Sequence, residues 1–443
     1  MRDNCARWLG PGDPESLSAA LATRFTQVFE REAEGVWFAP GRANLNGEHI
    51  DFHGGRCLPM ALRHGTYVAA AAREDGLLRV RTLDSQLDSG IIEIHDDAGS
   101  PAEANFPSWT TYVWGVLQSL RECDPEYDEL HLRSGFGADV LIRSTLPIGA
   151  GLSSSASLEC AVALALVGTG SPLGEEHGGE DFTRALTDEL RAVLAQVCIR
   201  AETEYVGAGT GGLDQTASLR GAAGKLVSLD CRDFTVKRSD ISFLLRDYRF
   251  IAVETGQPHE LADGRFAARR AESEAAAALL GVKQLREALP EKPKKPNVEL
   301  TLEEFDRLVD EGGDLGGHDA GACRRRLKHA LTEMLRSEKI HKLLFGEAHG
   351  VDDTAEMIGD LMAGGHTSMR DYAEVSFEVA DRMVETALSA GATGARLIGG
   401  GFGGSVLLLV RKNRVDAVTA ALTKLSEQLR FLDAVPSAPA RAV

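Results

Sequence analysis

The chain has 443 residues, 43% apolar and 26% charged, the composition of a soluble globular protein too long for one ordinary core, so two domains are expected. A formal net charge of −18 excludes a general nucleic-acid or membrane-surface binder, because both depend on a basic face. Seven scattered cysteines without a CxxC pair argue against a zinc site or a disulfide framework, and read as small buried residues of a reducing, cytoplasmic compartment.

In chain order, no segment approaches the roughly 20 uninterrupted apolar residues of a membrane span, and the first residues, MRDNCARWLGPGDPES, lack the apolar run of a signal peptide. Residues 17–34 carry Leu17, Leu21, Phe25, Val28 and Phe29 at helical spacing and predict an amphipathic helix. Residues 35–42 (GVWFAPGR) read as a short strand ending in a turn, followed by the glycine-bounded run NLNGEHIDFHGG. Strands are expected at 65–72 and 77–82, and an aromatic cluster from Trp109 opens a helix to about residue 121. Residues 137–143 (GADVLIR) form a strand feeding LPIGAGLSSSASLECA (146–161), which reads as strand end, glycine loop and helix start.

Further on, the acidic, glycine-containing stretch 171–181 reads as a surface loop. A helix ending AQVCIRAETEYVG carries Glu202, and GTGGLDQTASLRG breaks the pattern around Asp214. Strand signals return at 224–230 and 248–255, and the Pro- and Lys-rich 289–297 (LPEKPKKPN) is the clearest linker. Helical patterns dominate 300–390, GARLIGGGFGGS (394–405) leads into a strand at 406–410, and a last helix covers 415–429. The chain shows no internal repeat.

The 146–161 stretch is the centre of the chemistry. A helix N-terminus carries unpaired N–H groups and partial positive charge, so glycines that let a ligand approach it make an anion site; a plain capped helix is the rival reading. No lysine follows the glycines, so the loop is not a P-loop, and no GxGxxG opens a leading βαβ unit. Metal and base must therefore come from elsewhere. Ser155 can offer a hydroxyl to Mg²⁺, and Glu202 is a candidate partner carboxylate, unless it is a solvated helix glutamate. Asp214, in a glycine-flanked turn, can accept a proton from a substrate hydroxyl or simply cap the turn. Arg42, after Pro40-Gly41, can sit near that carboxylate and a transferred phosphoryl, or make an ordinary ion pair. Glu48, His49 and Asp51 crowd a glycine-bounded loop, a density suited to reading a polyol; a metal site is the rival.

These segments carry a resemblance. GRANLNGEHIDFHGG (41–55) resembles the galactokinase signature, LPIGAGLSSSASLE (146–159) the ATP-phosphate loop of the GHMP kinase superfamily, and RLIGGGFGGS (396–405) its third glycine motif. GGLDQ (211–215), SWTTYVWGV and HELADGRFAARRAE (259–272) follow in the expected order, so the resemblance spans nearly the full length. It implies an α+β, two-domain GHMP-kinase-like fold with the active site in the cleft between domains, divided as 1–235 (signature and phosphate loop) and 236–443 (third glycine motif). Asp214 would be the catalytic base and Arg42 its partner. Glu48, His49, Asp51 and the Gly211 backbone would hold the sugar. Gly149, Ala150, Gly151, Leu152, Ser153, Ser154 and Ser155 would hold the ATP phosphates, with Trp109 near the adenine, and Ser155 and Glu202 would hold Mg²⁺.

The chain departs from the family where Phe266 replaces a sugar-contacting tyrosine, where Asn46, Ile50 and Phe52 replace isoleucine, threonine and tyrosine, and where 255–258 (TGQP) lacks an asparagine- and arginine-containing run. The implied activity is an ATP- and Mg²⁺-dependent sugar 1-kinase acting on D-galactose. Alternatives are another galactose-like sugar (N-acetylgalactosamine, arabinose or galacturonate) or a non-catalytic sugar and ATP sensor. A carboxylate at Glu48 is expected to repel a uronate. The partners expected are small molecules, with no nucleic acid and no membrane, and the chain is expected to be a monomer.

Overall fold

The computed structural model describes residues 6–95, 106–257, 264–289, 298–346 and 350–443, arranged as three sheets with helices packed on their faces. The six-stranded sheet runs in the order Arg441–Ala442, Gly35–Asn44, Pro59–Arg73, Gly137–Ser144, Leu77–Thr82, Ile92–His95. All its pairs are antiparallel except Leu77–Thr82 with Gly137–Ser144. Both faces are covered. Val36, Phe38, Tyr67, Ala69 and Ala71 pack under the helix Pro14–Phe29, whereas Trp37, Ala39, Val68 and Ala70 face the helices Trp109–Arg121, Ser154–Gly170 and Asp188–Arg200. Each such large apolar side chain removed from water contributes about 1.5–3 kcal/mol, so both layers are strongly held.

The five-stranded sheet runs Arg7–Trp8, Arg430–Asp433, Tyr248–Glu254, Ser405–Arg411, Gly394–Ile398. Phe250, Ala252, Leu407 and Leu409 face the helix Val351–Ser368, and Ile251, Val253, Val406 and Leu408 face Glu378–Ser389 and Val415–Leu425. The third sheet, Arg56–Cys57, Lys225–Asp230 and Thr235–Asp240, packs on Arg265–Leu279, Val298–Asp310 and Ala320–Phe345. The two ends of the chain exchange: Arg7–Trp8 joins a sheet built from strands after residue 247, and Arg441–Ala442 pairs with Trp37 and Phe38. Buried Arg191 locks the second exchange by donating to the carbonyls of Leu219 and Ala440.

Several expectations are corrected. The 171–181 stretch is not a loop: it forms the helices Pro172–Glu176 and Gly179–Ala185, because Ser171 caps the first with Pro172 at its opening position, and Phe182 buries its ring. The lead-in helix stops at Phe29, where Glu30 turns left-handed at φ 59°. Residues 394–398 form a strand of their own before the glycines. The last helix ends at Leu425, and Leu429 instead enters the core beside Phe431. The strand expected at 35–42 runs to Asn44 past a register break at Gly41, where the partner strand carries the extra residues, with Pro40 opposite Gly65 and Arg42 opposite Ala61. Of the linker 289–297, residues 290–297 lie outside the described residues, as do 258–263. Among the described residues no helix is long and apolar enough to cross a membrane.

Candidate active site

One cleft of about 680 Å³ collects the motifs. The register breaks beside Gly41, which stands opposite three residues (62–64) of the neighbouring strand, and Arg42 just past the break lines the cleft. A side chain at Gly41 would put its Cβ 2.5 Å from the Leu152 carbonyl oxygen, so glycine lets the phosphate loop lie directly on this strand. The Arg42 backbone N–H donates to that carbonyl at 3.1 Å.

Arg42 is buried and forked. Its Nε donates to Asp214 Oδ1 at 2.8 Å, its Nη2 to Asp214 Oδ2 at 3.2 Å, and its Nη1 to the Gly151 carbonyl at 2.7 Å. Asp214 lies in the first turn of the helix Leu213–Arg220 and also accepts from Ser153 Oγ at 2.5 Å. Ser153 is the residue before the helix Ser154–Gly170 and is left-handed at φ 60°, so its N–H and those of the first turn face the cleft and the adjoining Gly149 and Gly151. A carboxylate, a guanidinium and a helix N-terminus thus meet at one point. Of the seven predicted loop residues, Gly149, Gly151, Ser153, Ser154 and Ser155 line the cleft. Ala150 and Leu152 do not: both are buried in the core, and only their carbonyls act locally, Leu152 toward Arg42 and Ala150 toward Ser405 Oγ at 2.6 Å.

Ser155 and Glu202 are neighbours, the serine hydroxyl bonding to the carboxylate. Glu202 sits in the π-helical turn Ala201–Val206, which continues Asp188–Arg200, and its Oε2 accepts from Gln215 Nε2 at 2.6 Å. The same amide donates to buried Glu159 Oε2 at 3.0 Å. Burial, then the nearby Asp214 charge, raises the Glu202 carboxyl to about 7, and burial raises Glu159 well above its ordinary range. One carboxylate and one hydroxyl side by side in the cleft, next to the glycine loop, fit a Mg²⁺ that takes its remaining ligands from phosphate oxygens and water. Among the described residues no cluster of three or more metal-ligating side chains offers a closed cage. Trp109, first in its helix, lines the far end with Tyr112, Leu158, Ile142, Thr82 and Leu87, a mostly apolar slot.

Glu48, His49 and Asp51 face the other end. His49 is held at φ 60°, and its Nε2 lies 3.1 Å from the Gly400 carbonyl, which ties this loop to the third glycine motif. Asp51 Oδ2 accepts from the Gly211 N–H at 3.1 Å; burial and then the Asp214 charge raise its carboxyl. A Cβ at Gly211 would stand 2.4 Å from the Phe52 nitrogen, so only glycine lets these two loops touch. The Phe266 ring closes this wall, 5.1 Å from the His49 ring. The other departures from the family pattern turn away from the cleft: Ile50 is core, Asn46 is buried, and Phe52 lies under the Arg270 guanidinium. Residues 255–257 brace the third glycine motif through Thr255 and Gln257 and do not line the cleft.

Glu48 differs from expectation. Its Oε2 is paired with the Arg396 guanidinium at 2.6 Å, and Oε1 is buried without a partner. Burial raises its carboxyl to about 7, Arg396 opposes this and Glu333 adds to it. With its charge met by Arg396, Glu48 does not by itself repel a uronate. Arg396, Glu159 and Gln215 lie at the ends of quoted motifs but were given no role there, and Glu333 lies in no motif, since no local pattern marks what any of the four contacts.

Residues 23–72 match the galactokinase galactose-binding signature, residues 111–222 the GHMP kinases N terminal domain, and residues 348–428 the GHMP kinases C terminal region. A galactokinase of Streptomyces coelicolor is 37% identical over 438 residues, 96% of this chain and 99% of that protein. One of Streptomyces lividans is 36% identical over 411 residues, 93% of this chain and 89% of that protein. The crystal structure of Lactococcus lactis galactokinase complexed with galactose matches with a TM-score of 0.75 at 29% identity, covering 96% of this chain and 99% of that one. A mevalonate kinase structure, at 17% identity and a TM-score of 0.54, over 92% of this chain and 98% of that one, shares the fold alone.

Proposed function

The chain belongs to the galactokinase family of GHMP kinases, and from that membership we propose that it transfers the γ-phosphoryl group of ATP to the C1 hydroxyl of D-galactose. The observation that carries the reading is the contact of Asp214 with both Arg42 and Ser153, which puts a proton acceptor at the junction of the phosphate loop and the sugar-facing loop. The working division is 1–235 for the signature and phosphate loop and 236–443 for the third glycine motif.

In this reading galactose lies against Glu48, His49, Asp51, Phe266 and the Gly211 backbone, and the ATP phosphates lie on Gly149, Gly151 and Ser153 to Ser155, with the adenine in the slot at Trp109. Asp214 takes the proton from the C1 hydroxyl as that oxygen bonds to the γ-phosphorus. The bond from phosphorus to the β–γ bridging oxygen breaks, and ADP leaves with the electron pair. Arg42 holds the Asp214 carboxylate in line and offsets negative charge on the transferring group, while the helix N-terminus after Ser153 neutralises the leaving phosphates. Ser155 and Glu202 would hold Mg²⁺, which would supply charge neutralisation on the phosphates.

The test is ADP release with ATP, Mg²⁺ and a panel of galactose, N-acetylgalactosamine, arabinose, galacturonate and glucose. The highest kcat/KM belongs to galactose. A tenfold preference for any other member of the panel would replace galactose in this reading while leaving the kinase chemistry intact.

A further inference from the structure

Behind the sugar-facing loop lies a set of charged and titratable side chains, of which the reading above uses only Glu48. Arg396, on the strand Gly394–Ile398, is completely buried. Its Nη2 donates to Glu48 Oε2 at 2.6 Å and lies 2.8 Å from Glu333 Oε1, and its Nη1 donates to Asn46 Oδ1. Glu333, on the helix Ala320–Phe345, is equally buried and also accepts from Arg336 Nε at 2.8 Å and from the Gly47 N–H at 3.0 Å. Asn46 donates in turn to Ser337 Oγ at 2.8 Å. The helix Val351–Ser368 closes the far side at Gly365, where a Cβ would stand 2.5 Å from Arg396 Nη1. From the same helix as Glu333, His329 Nε2 lies 3.1 Å from the Glu48 carbonyl.

Two carboxyl groups stand against two guanidiniums, with Glu48, Glu333 and Arg396 buried and Arg336 partly exposed, and burying such a set is costly and gives no more stability than well-packed apolar residues would. What the network does supply is direction. Three residues of one loop, Asn46, Gly47 and Glu48, are each gripped by an atom of the second half of the chain. One oxygen of Glu48 is thereby fully engaged. The other is buried, free of any partner and on a residue that lines the cleft. A buried acceptor without a donor is rare in a folded protein and points to a donor that arrives with the ligand.

We propose that Arg396 is a positioning residue for the sugar, pinning Glu48 Oε2 so that Oε1 faces a substrate hydroxyl, and that Glu333 and Asn46 fix Arg396 for that task. The inference rests on the assignment of Glu48 to the sugar. Sugar affinity is then set by a strand and a helix that never touch the sugar, while ATP binding and the chemical step at Asp214 are independent of them.

A double-mutant cycle of Arg396→Lys and Glu48→Gln, read as KM for galactose, KM for ATP and kcat, tests this. Loss of one charge-assisted hydrogen bond corresponds to about a 10- to 100-fold rise in sugar KM, expected for each single variant, with kcat and the ATP KM within about threefold of wild type. In the Glu48→Gln background the lysine substitution adds less than about a twofold further rise, because the oxygen it aimed is gone. The inference is overturned if Arg396→Lys multiplies the sugar KM equally in both backgrounds, or moves kcat and the ATP KM as much as the sugar KM. It is also overturned if Glu48→Gln leaves the sugar KM unchanged, which removes Glu48 from the sugar and leaves the roles of Asp214 and the phosphate loop standing. Should Arg396→Lys not fold by thermal melt, Asn46→Ala loosens the guanidinium without stranding a buried carboxylate. A rise of about threefold in sugar KM that vanishes beside Glu48→Gln then supports the inference, and a rise that persists overturns it.

Discussion

Replacing Asp214 with asparagine separates geometry from proton transfer. The carboxylate accepts three hydrogen bonds, at 2.8 and 3.2 Å from Arg42 and 2.5 Å from Ser153, and an asparagine of the same shape offers one oxygen and one amide group that can only donate. With its oxygen toward Arg42 Nε, the amide nitrogen faces Arg42 Nη2, so half the fork is lost. Ser153 can rotate to accept instead of donate. Arg42 keeps the Gly151 carbonyl at 2.7 Å but loses its counter-charge at a side chain only 7% exposed. Breaking a fully buried pair costs about 3–5 kcal/mol. Asp214 is 23% exposed, so solvent screening lowers this to roughly 1–3 kcal/mol of stability. The effect on rate is larger, because an amide cannot accept the C1 proton, and general-base catalysis contributes about 10²–10⁴-fold. Coupled ADP release at saturating galactose and ATP is therefore expected to show kcat down by that factor, with both KM values within a few-fold. Ser153→Ala removes one donor and leaves the base, so kcat is expected to fall by less than tenfold. The role of Asp214 would be refuted by a kcat within about threefold of wild type in a folded Asp214→Asn protein.

Three further outcomes follow from the geometry. Phe266→Tyr places a hydroxyl on the wall beside His49; a hydrogen bond worth about 0.5–1.5 kcal/mol lowers the galactose KM by roughly 2- to 10-fold, and a raised KM speaks against Phe266 facing the sugar. Gly211→Ala drives a methyl into the Phe52 nitrogen and the Asp51 carboxylate. Overpacking of about 1–3 kcal/mol there raises the sugar KM at least fivefold and leaves the ATP KM nearly unchanged, as steady-state kinetics would show. Glu48 is raised to about 7 from 4.5, chiefly by burial and despite the charges of Arg396 and Arg42, with Glu333 pushing the same way. The folded protein therefore holds a proton there that the unfolded chain releases above pH 4.5. This contribution is fully present below 4.5 and is lost as pH rises through about 7, with a ceiling on the order of 3 kcal/mol. Chemical denaturation of the ligand-free protein from pH 5 to 8 reads it as a difference between wild type and Glu48→Gln, and identical slopes for the two would contradict it.

The parts of the site that a sequence can announce are those carried by local backbone chemistry. Gly149, Gly151 and Ser153 show in the chain because a tight turn into a helix restricts residue type, and Asp214 shows because glycines flank it. Which loop residues face the cleft was not legible. Ala150 and Leu152 alternate inward, and nothing local separates them from their neighbours. Glu333 escaped notice because it lies in an ordinary helical pattern 286 residues from Gly47, and the pairing of Arg396, at the head of the third glycine motif, with Glu48 348 residues away leaves no local trace. The exchange of chain ends was hidden for another reason: strands of two residues, Arg7–Trp8 and Arg441–Ala442, carry no periodicity. The segment 171–181 misled through its glycines, since Ser171 and Pro172 are helix-start signals that the acidic run masked.

The most direct test of the account is the identity of the product. Wild-type protein incubated with galactose, ATP and Mg²⁺, followed by phosphorus NMR with coupling to the sugar protons, is expected to yield one new phosphomonoester coupled to the anomeric proton, together with an equal amount of ADP. A phosphomonoester coupled instead to the C6 protons, or ADP accumulating together with free phosphate and no sugar ester, would contradict it.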